Sequence, residues 1–148
     1  MKRDAPVTDG TRILHEISAV AASSDIDDLG HVNNVVYVRW VQDAALSHWR
    51  ALATPTEMAE IAWVVVRHEI DYVRAVQRGE RVILRTWVGE ATKTTFERHT
   101  EIVRSANGQL LARARTLWCP VDPRTGRLRR IEPDLRARVS VSVREGAG

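Results

Sequence analysis

Residues 25–34, with the sequence DIDDLGHVNN, bring together most of the side chains in this chain that could carry out chemistry. Carboxylates such as Asp27 could activate a water molecule or attack a carbonyl carbon directly. His31 and the two asparagines could orient water or a substrate carbonyl, and Gly30 would let the backbone approach a ligand closely. These residue types together suggest an acyl-transfer site.

The polar stretch stands directly before a long apolar segment with helical spacing. Val36, Trp40 and Ala44 are four residues apart, and so are Tyr37, Val41 and Ala45. The spacing predicts a helix from about Asn33 to about Leu52, apolar on most sides and therefore buried. The first turn of a helix exposes unpaired N–H groups with partial positive charge, which would stabilise an oxyanion.

Capping explains the same polar residues without any catalysis. Asp and Asn before a helix most often accept hydrogen bonds from its first N–H groups, which favours a cap or turn role for Asp28, Asn33 and Asn34. For His31 and Asp27, position alone leaves both the site and the structural interpretation open.

The rest of the chain reads mainly as β-structure. Residues 12–23 alternate as a strand, and the segment 53–59 breaks the helix at Pro55. Further strands are predicted at 63–76, 81–90, 94–105 and 110–121, with Val64, Val66 and His68 on one face of the first of these. Asn107-Gly108 predicts a hairpin turn. Residues 1–10 and 137–148 are expected to be frayed.

One long buried helix among about five strands can only be covered by a curved sheet. The expected fold class is therefore α+β, a hotdog fold with an antiparallel sheet of about five strands wrapped around one central helix. We expect residues 1–148 to form a single domain. The two open sheet edges predict pairing between subunits, as a homodimer or homotetramer.

Composition argues against several other classes. The net charge is +3, but basic and acidic residues are interleaved, so we expect no nucleic-acid binding. No apolar run approaches the roughly 20 residues needed to cross a membrane. Cys119 is the single cysteine, so neither an internal disulfide nor a structural metal site is expected. With no signal-peptide pattern at the N-terminus, we expect a cytoplasmic protein.

The motif DIDDLGHVNNVVYVRW resembles the signature of the 4-hydroxybenzoyl-CoA thioesterase-like family of hotdog proteins. Asp25, Asp27, Gly30 and Val32 occupy its Asp-x-Asp-x-x-Gly-x-Val positions, and its two aromatic positions follow at Tyr37 and Trp40. The GHVNN form is also similar to the motif of acyl-ACP thioesterases. The likeness extends from about Arg12 to Leu135 and includes the segments HEIDYVRAVQRGERVIL and VDPRTGRLRRI.

The resemblance implies hydrolysis of an acyl-CoA or acyl-carrier-protein thioester, with Asp27 as the catalytic carboxylate and Asp25 and Asp28 as scaffolding. No cofactor is implied, because coenzyme A is part of the substrate. Backbone N–H groups near Val32 and Asn34 would polarise the thioester carbonyl.

Further roles follow from the same resemblance. His31 and Asn33 would assist in catalysis, although Leu29 stands where acyl-ACP thioesterases carry an asparagine. Gly30 and Tyr37 would contact the substrate. Lys93 and Thr95, and less favourably Arg98, would contact the phosphates of coenzyme A. Some hotdog thioesterases use a helix glutamate, for which Asp43 is the nearest candidate.

Three other functions stay open from the sequence. A dehydratase or hydratase would need a catalytic histidine paired with a helix carboxylate, and His31 with Asp43 fits this poorly. A non-catalytic acyl-CoA-binding module would use the same fold, since fold does not determine function. A nucleic-acid binder follows from the basic charge alone.

Overall fold

A computed structural model describes residues 14–139. Besides a short 3-10 helix at Ser23–Asp25, the chain forms five strands and three α-helices in that range. In order they are β1 His15–Val20, α1 Asn34–Leu52, α2 Pro55–Glu60, β2 Ala62–Tyr72, β3 Arg81–Ala91, β4 Phe96–Arg104, β5 Leu110–Val121 and α3 Pro133–Val139.

The strands form one antiparallel sheet in the order β1-β3-β4-β5-β2, and α1 packs against one face of it. Ala112 and Ala114 on β5 are buried, and their small side chains leave room for the helix. The architecture confirms the predicted hotdog fold, with β1 and β2 as the two edges.

Helix α1 follows the prediction closely at both ends but buries less of its surface than expected. Its buried residues, including Val36, Trp40, Val41 and Ala44, form one face towards the sheet. Val35 and Leu46 are respectively 68% and 45% exposed on the opposite side. The expectation of burial on most sides is therefore wrong for a single chain, because a sheet covers only one side of a helix.

Helix α2 was not predicted. Thr54 accepts a hydrogen bond from the N–H of Glu57, and Glu57 accepts one from the N–H of Thr54, at 3.1 and 2.9 Å. This reciprocal capping box, with Pro55 in the first helical turn, is a helix-start pattern. Pro55 therefore ends α1 and also begins α2.

A β-bulge in β2 corrects the predicted facing of that strand. The register with β5 shifts between Val65 and Arg67, so that Val66 has no partner of its own. One extra residue reverses the alternation. Val64 and Val66 are exposed, whereas His68 is half-buried on the inner face.

The C-terminal expectation is also partly wrong. Residues 137–139 belong to α3, where Leu135 and Val139 are buried against the end of α1. The remaining residues predicted to be frayed, 1–10 and 140–148, lie outside the described range. Between residues 14 and 139, no helix has the length and apolar character needed to cross a membrane.

Candidate active site at the mouth of the central helix

The motif forms a tight backbone loop before α1. Ile26 and Val32 make an isolated antiparallel bridge, and the N–H of Asp27 donates to the carbonyl of His31 at 2.7 Å. The N–H of Gly30 donates to the carbonyl of Asp27 at 3.0 Å. Gly30 has φ = +81°, a conformation that residues with a Cβ rarely adopt. The loop therefore needs glycine at this position.

Asp27 is oriented by this loop. Its Oδ1 accepts hydrogen bonds from the N–H groups of Leu29 at 2.9 Å and His31 at 3.0 Å. Its Oδ2 has no hydrogen-bond partner among residues 14–139. The side chain is half-buried. One oxygen thus positions the carboxylate, and the other is left for chemistry.

Asp25 has a different environment. Its carboxylate pairs with both terminal nitrogens of Arg39, at 3.1 and 2.8 Å, and also accepts the N–H of Ala22. The hydrogen bond from Arg39, followed by that from Ala22, lowers the pKa of Asp25. The Asp25 carbonyl accepts the N–H of Asn33 at 2.8 Å. Asp25 therefore ties the motif loop to α1, which agrees with a scaffolding role.

Asp28 is exposed and makes no hydrogen bond or ion pair to the described part of the chain. It neither caps α1 nor supports the loop. Of the cap or turn role predicted for Asp28, the cap is wrong, whereas the turn agrees with its position in the turn at residues 28 and 29.

The N–H groups at the start of α1 are not all available. Val32 donates its N–H to the carbonyl of Val76 at 2.9 Å, so this group is not free to hold an oxyanion. Asn33 is the N-cap, and its Oδ1 accepts the N–H of Val35 at 3.2 Å. Asn34 stands at the first helical position, where its N–H has no partner within residues 14–139. This corrects the oxyanion assignment: Asn34 remains a candidate donor and Val32 does not.

His31 belongs to the same motif loop, three residues before Asn34. Its ring is half-buried and makes no hydrogen bond or ring contact within the described range, while its backbone forms a bridge with Gln77. The ring therefore remains available to a ligand. Asn33 is exposed, and its side-chain Oδ1 is occupied in capping α1.

Tyr37 has a structural position in the core. It is 2% exposed, and its hydroxyl accepts the N–H of Val76 at 3.1 Å. Burial raises its pKa. This placement corrects the predicted substrate contact for Tyr37. Its hydroxyl binds the N–H of Val76, and the carbonyl of Val76 accepts the N–H of Val32.

Lys93 and Thr95 lie far from the mouth. They belong to the turn between β3 and β4, where the Thr95 hydroxyl bonds that of Thr92 at 2.7 Å and the Lys93 carbonyl accepts the N–H of Ile131. Ile131 packs in the cluster around Trp49, near the C-terminal end of α1. The structure therefore does not bring these two residues to Asp27 within one chain.

A cavity of about 560 Å³ lies beside the C-terminal half of α1. Its walls include Trp49, Trp63, Phe96 and Trp118, and the exposed Asp43 contributes to its lining. The first helix residue in the lining, Gln42, is eight residues beyond Asn34, which is about 12 Å along a helix axis. Within one chain the cavity and the helix mouth are therefore separate. Among residues 14–139, no cluster of three or more His, Cys, Asp or Glu side chains could hold a metal ion.

Arg98 lines this cavity, whereas the family resemblance suggested a contact with the phosphates of coenzyme A. It is 6% exposed, and its Nη1 donates to Nδ1 of His48 at 2.9 Å and to the hydroxyl of Thr86 at 3.1 Å. Burial, with the Arg98 charge second, lowers the pKa of His48 to about 3, so its ring is neutral and can accept. The alternation of Phe96, Arg98, Thr100 and Ile102 was the available signal that Arg98 faces inwards.

The chain is similar in sequence to a plant enzyme. An acyl-[acyl-carrier-protein] hydrolase of Cuphea viscosissima chloroplasts is 25% identical over 143 residues, covering 90% of this chain and 34% of the relative. The chain thus spans about a third of that relative's length.

Solved structures share the fold. A 1,4-dihydroxy-2-naphthoyl-CoA thioesterase from Synechocystis superposes with a TM-score of 0.69 at 20% identity, covering 80% of this chain and 90% of the other. A thioesterase from Thermus thermophilus, complexed with coenzyme A and zinc, gives 0.73 at 22% identity, covering 84% and 95%.

A family model described as the thioesterase-like superfamily matches residues 22–139. The match covers most of the chain, including the whole motif loop and all of α1. The chain therefore belongs to the thioesterase-like superfamily.

Proposed function

We propose that this protein hydrolyses acyl-CoA thioesters, with Asp27 as the catalytic carboxylate. The observation that carries the proposal is the geometry of Asp27: two backbone N–H groups hold Oδ1, and Oδ2 has no partner within residues 14–139. A carboxylate positioned in this way suits a general base or a nucleophile. The nearby Asn34 N–H would donate to the oxygen that becomes negatively charged.

The reaction adds water across the thioester. The carbon–sulfur bond breaks, the acyl carbon gains the oxygen of water to become a carboxylate, and sulfur leaves as a thiol carrying one of the two protons of water. The other proton is released to the solvent. As a base, Asp27 would take a proton from water. As a nucleophile, it would form a mixed anhydride that water then cleaves. A single turnover in ¹⁸O water that puts label into the Asp27 side chain would establish the nucleophilic route, with water attacking the aspartyl carbonyl of the anhydride. Attack at the acyl carbonyl would label the product alone, as the general-base route does.

Relatives support both kinds of carrier. Those named above include an acyl-carrier-protein hydrolase and a CoA thioesterase, and one solved relative holds coenzyme A. We place CoA esters first because the match to this chain extends over 90% and 95% of the two solved structures named above. Thiol release from matched acyl-CoA and acyl-carrier-protein substrates tests this order.

We further propose a homodimer formed through β2. This edge strand is 11 residues long and exposes Val64 and Val66, whereas the other edge, β1, has 6 residues. Long apolar edges are templates for pairing with another chain. A two-fold axis through paired β2 strands would put both α1 helices on one face of a continuous sheet, running in opposite directions.

That arrangement would complete the site. Antiparallel helices place the mouth of one α1 beside the C-terminal half of the other, where the cavity lies. Asp27 of the partner subunit would then face the acyl group held in the cavity. The 12 Å gap within one chain, about eight residues of helix rise, would be removed by assembly.

The replacement Asp27→Asn tests the catalytic role. Asparagine keeps an Oδ1 that accepts both backbone N–H groups, so the loop should be retained. We expect kcat to fall by at least about a hundredfold, the usual scale for losing a positioned acid or base. Asp28→Asn is the matched control, because Asp28 is exposed and has no partner within the described range. Near-normal turnover by Asp27→Asn would reject the assignment.

Mixed dimers test the shared site. Asp27→Asn and Ala45→Phe, which places a ring in the cavity, should each be inactive alone. If the site spans two subunits, random co-assembly restores about a quarter of wild-type activity, because half the dimers are mixed and each has one intact site. A site within one chain predicts no recovery.

A further inference from the structure

Arg98 is a buried cation without a neutralising partner in the described part of the chain. It is 6% exposed, and no carboxylate of residues 14–139 lies within ion-pair distance of it. Buried charges are normally paired, because removing them from water is costly. The two side chains that accept from Arg98 are His48 and Thr86, and neither carries a negative charge. The His48 ring is neutral at ordinary pH because its pKa is about 3, so the positive charge of Arg98 is left uncompensated.

The guanidinium also has unused donors. Both hydrogen bonds of Arg98 leave from Nη1, towards His48 and Thr86. Its Nε and Nη2 have no partner among residues 14–139 and are not among the fully enclosed unpaired atoms. Because Arg98 lines the cavity, these N–H groups are open to an occupant there.

Two more donors without acceptors belong to the same cavity. The indole nitrogens of Trp63 and Trp118 are buried and have no hydrogen-bond partner in residues 14–139. Buried polar groups in folded proteins are nearly all paired. Both indole N–H groups are fully enclosed by protein, so the buried donors that can reach an occupant of the cavity are those of Arg98.

The remaining walls are apolar and aromatic. Trp63 stacks on Phe96 with ring centroids 4.9 Å apart and meets Trp49 edge-on at 5.3 Å. Such walls favour a hydrocarbon or aromatic body. Asp43 and Arg50 also line the cavity, but both are exposed and therefore screened by water.

We propose that the cavity selects acyl groups that carry a second carboxylate at their far end, and that Arg98 is the residue that determines this specificity. The proposal rests on the proposed function, in which the cavity receives the acyl group. The hydrocarbon part would lie against the aromatic walls, and the terminal carboxylate would accept from Nε and Nη2 of Arg98. A planar guanidinium fork matches a carboxylate with two parallel hydrogen bonds.

Substrate competition tests the proposal in the wild-type protein without any substitution. Adipoyl-CoA and hexanoyl-CoA have acyl chains of equal length and differ in the terminal carboxylate. We expect kcat/KM for adipoyl-CoA to exceed that for hexanoyl-CoA by about tenfold or more, the scale of a hydrogen bond to a charged group. Equal values, or a preference for hexanoyl-CoA, would overturn the proposal.

Variants then assign the preference to Arg98. Arg98→Gln should remove it by lowering the ratio of kcat/KM for adipoyl-CoA to kcat/KM for hexanoyl-CoA to about one, and Arg98→Lys should keep part of it. Arg113→Gln is the matched control, since Arg113 is exposed on β5. An equal loss on both substrates in Arg98→Gln would show a structural role alone. Circular dichroism and urea unfolding check that each variant is folded.

A binding experiment separates this proposal from the proposed function. Three tryptophans line the cavity, so intrinsic fluorescence reports its occupancy. Octanoate should give a saturable change with a Kd at least about tenfold lower than that of neutral octanamide, and Arg98→Gln should remove the difference. Binding of this kind without hydrolysis of any thioester would reject the proposed function alone. Hydrolysis without carboxylate preference, and no discrimination between octanoate and octanamide, would reject the specificity proposal alone.

Discussion

Replacing Tyr37 by phenylalanine removes one oxygen atom from the core and separates a structural role from a substrate-binding one. The hydroxyl accepts the N–H of Val76 at 3.1 Å, and Val76 is fully buried. Its second contact, to the carbonyl of Arg74 at 3.5 Å, is too long to contribute much. In Tyr37→Phe the Val76 N–H becomes a buried donor without an acceptor.

The magnitude follows from that single unpaired group. The phenyl ring keeps its packing, so the cost is the desolvation of one N–H, about 1–3 kcal/mol of the free energy of unfolding. For a chain of this size each kcal/mol corresponds to about 2–4 °C, so Tm should fall by about 2–12 °C. Urea unfolding followed by circular dichroism should show a lower midpoint with an unchanged slope.

Tyr72→Phe is the matched control for this experiment. Tyr72 packs edge-on to Tyr37, with ring centroids 5.1 Å apart, but it is half-exposed. Its hydroxyl donates to the Asn34 carbonyl over 3.4 Å, which is a long hydrogen bond. Its loss should change stability by no more than about 0.5 kcal/mol. If Tyr37→Phe were as stable as wild type and instead raised KM for thioesters, the structural reasoning would be refuted and the substrate contact suggested by the sequence restored.

Three more predictions follow from individual contacts. Folding lowers the pKa of His48 from 6.5 to about 3, so as the pH falls the unfolded state takes up a proton before the folded state does. The contribution of His48 to the free energy of unfolding should be complete above pH 6.5 and be lost towards pH 3, with a loss of about 2 kcal/mol at pH 5. Urea midpoints at several pH values measure this, and a His48→Gln variant with the same pH slope would contradict it. Gly30→Ala should destabilise by about 1 kcal/mol because φ is +81°, with Gly30→Asn milder; equal stability of all three proteins in thermal unfolding would contradict it. Thr54→Ala should cost about 0.5–2 kcal/mol by opening the α2 capping box, whereas Thr56→Ala, outside that box, should have little effect.

The periodic elements were predictable because their pattern is local. Four-residue spacing from Val36 to Ala44 and alternation from Phe96 to Ile102 specify which side of each element is apolar, and burial against a single core follows directly. The Asn107-Gly108 turn was readable for a similar reason: Gly108 adopts φ = +73°, which glycine permits at little cost.

Other features depend on pairing between distant segments. The bulge at Val66 arises from how β2 fits β5, and nothing in the local alternation marks it. Helix α3 has only seven residues, and its burial depends on the end of α1. Helix α2 was different, since Thr54, Pro55 and Glu57 carry a readable start signal that was taken only as a stop.

The sequence by itself determined the fold class, the long helix and the position of the polar loop at its mouth, because spacing, capping residues and Gly30 act over a few neighbouring residues. Only the tertiary structure decided which groups there are already occupied. Asp25 is paired with Arg39, Val32 with Val76, and Tyr37 with the same distant segment. It also showed Arg98 buried without a carboxylate partner in the described range. Hydrogen-bond partners that are 14 or more residues apart come together only on folding, so availability for chemistry is a property of the folded chain.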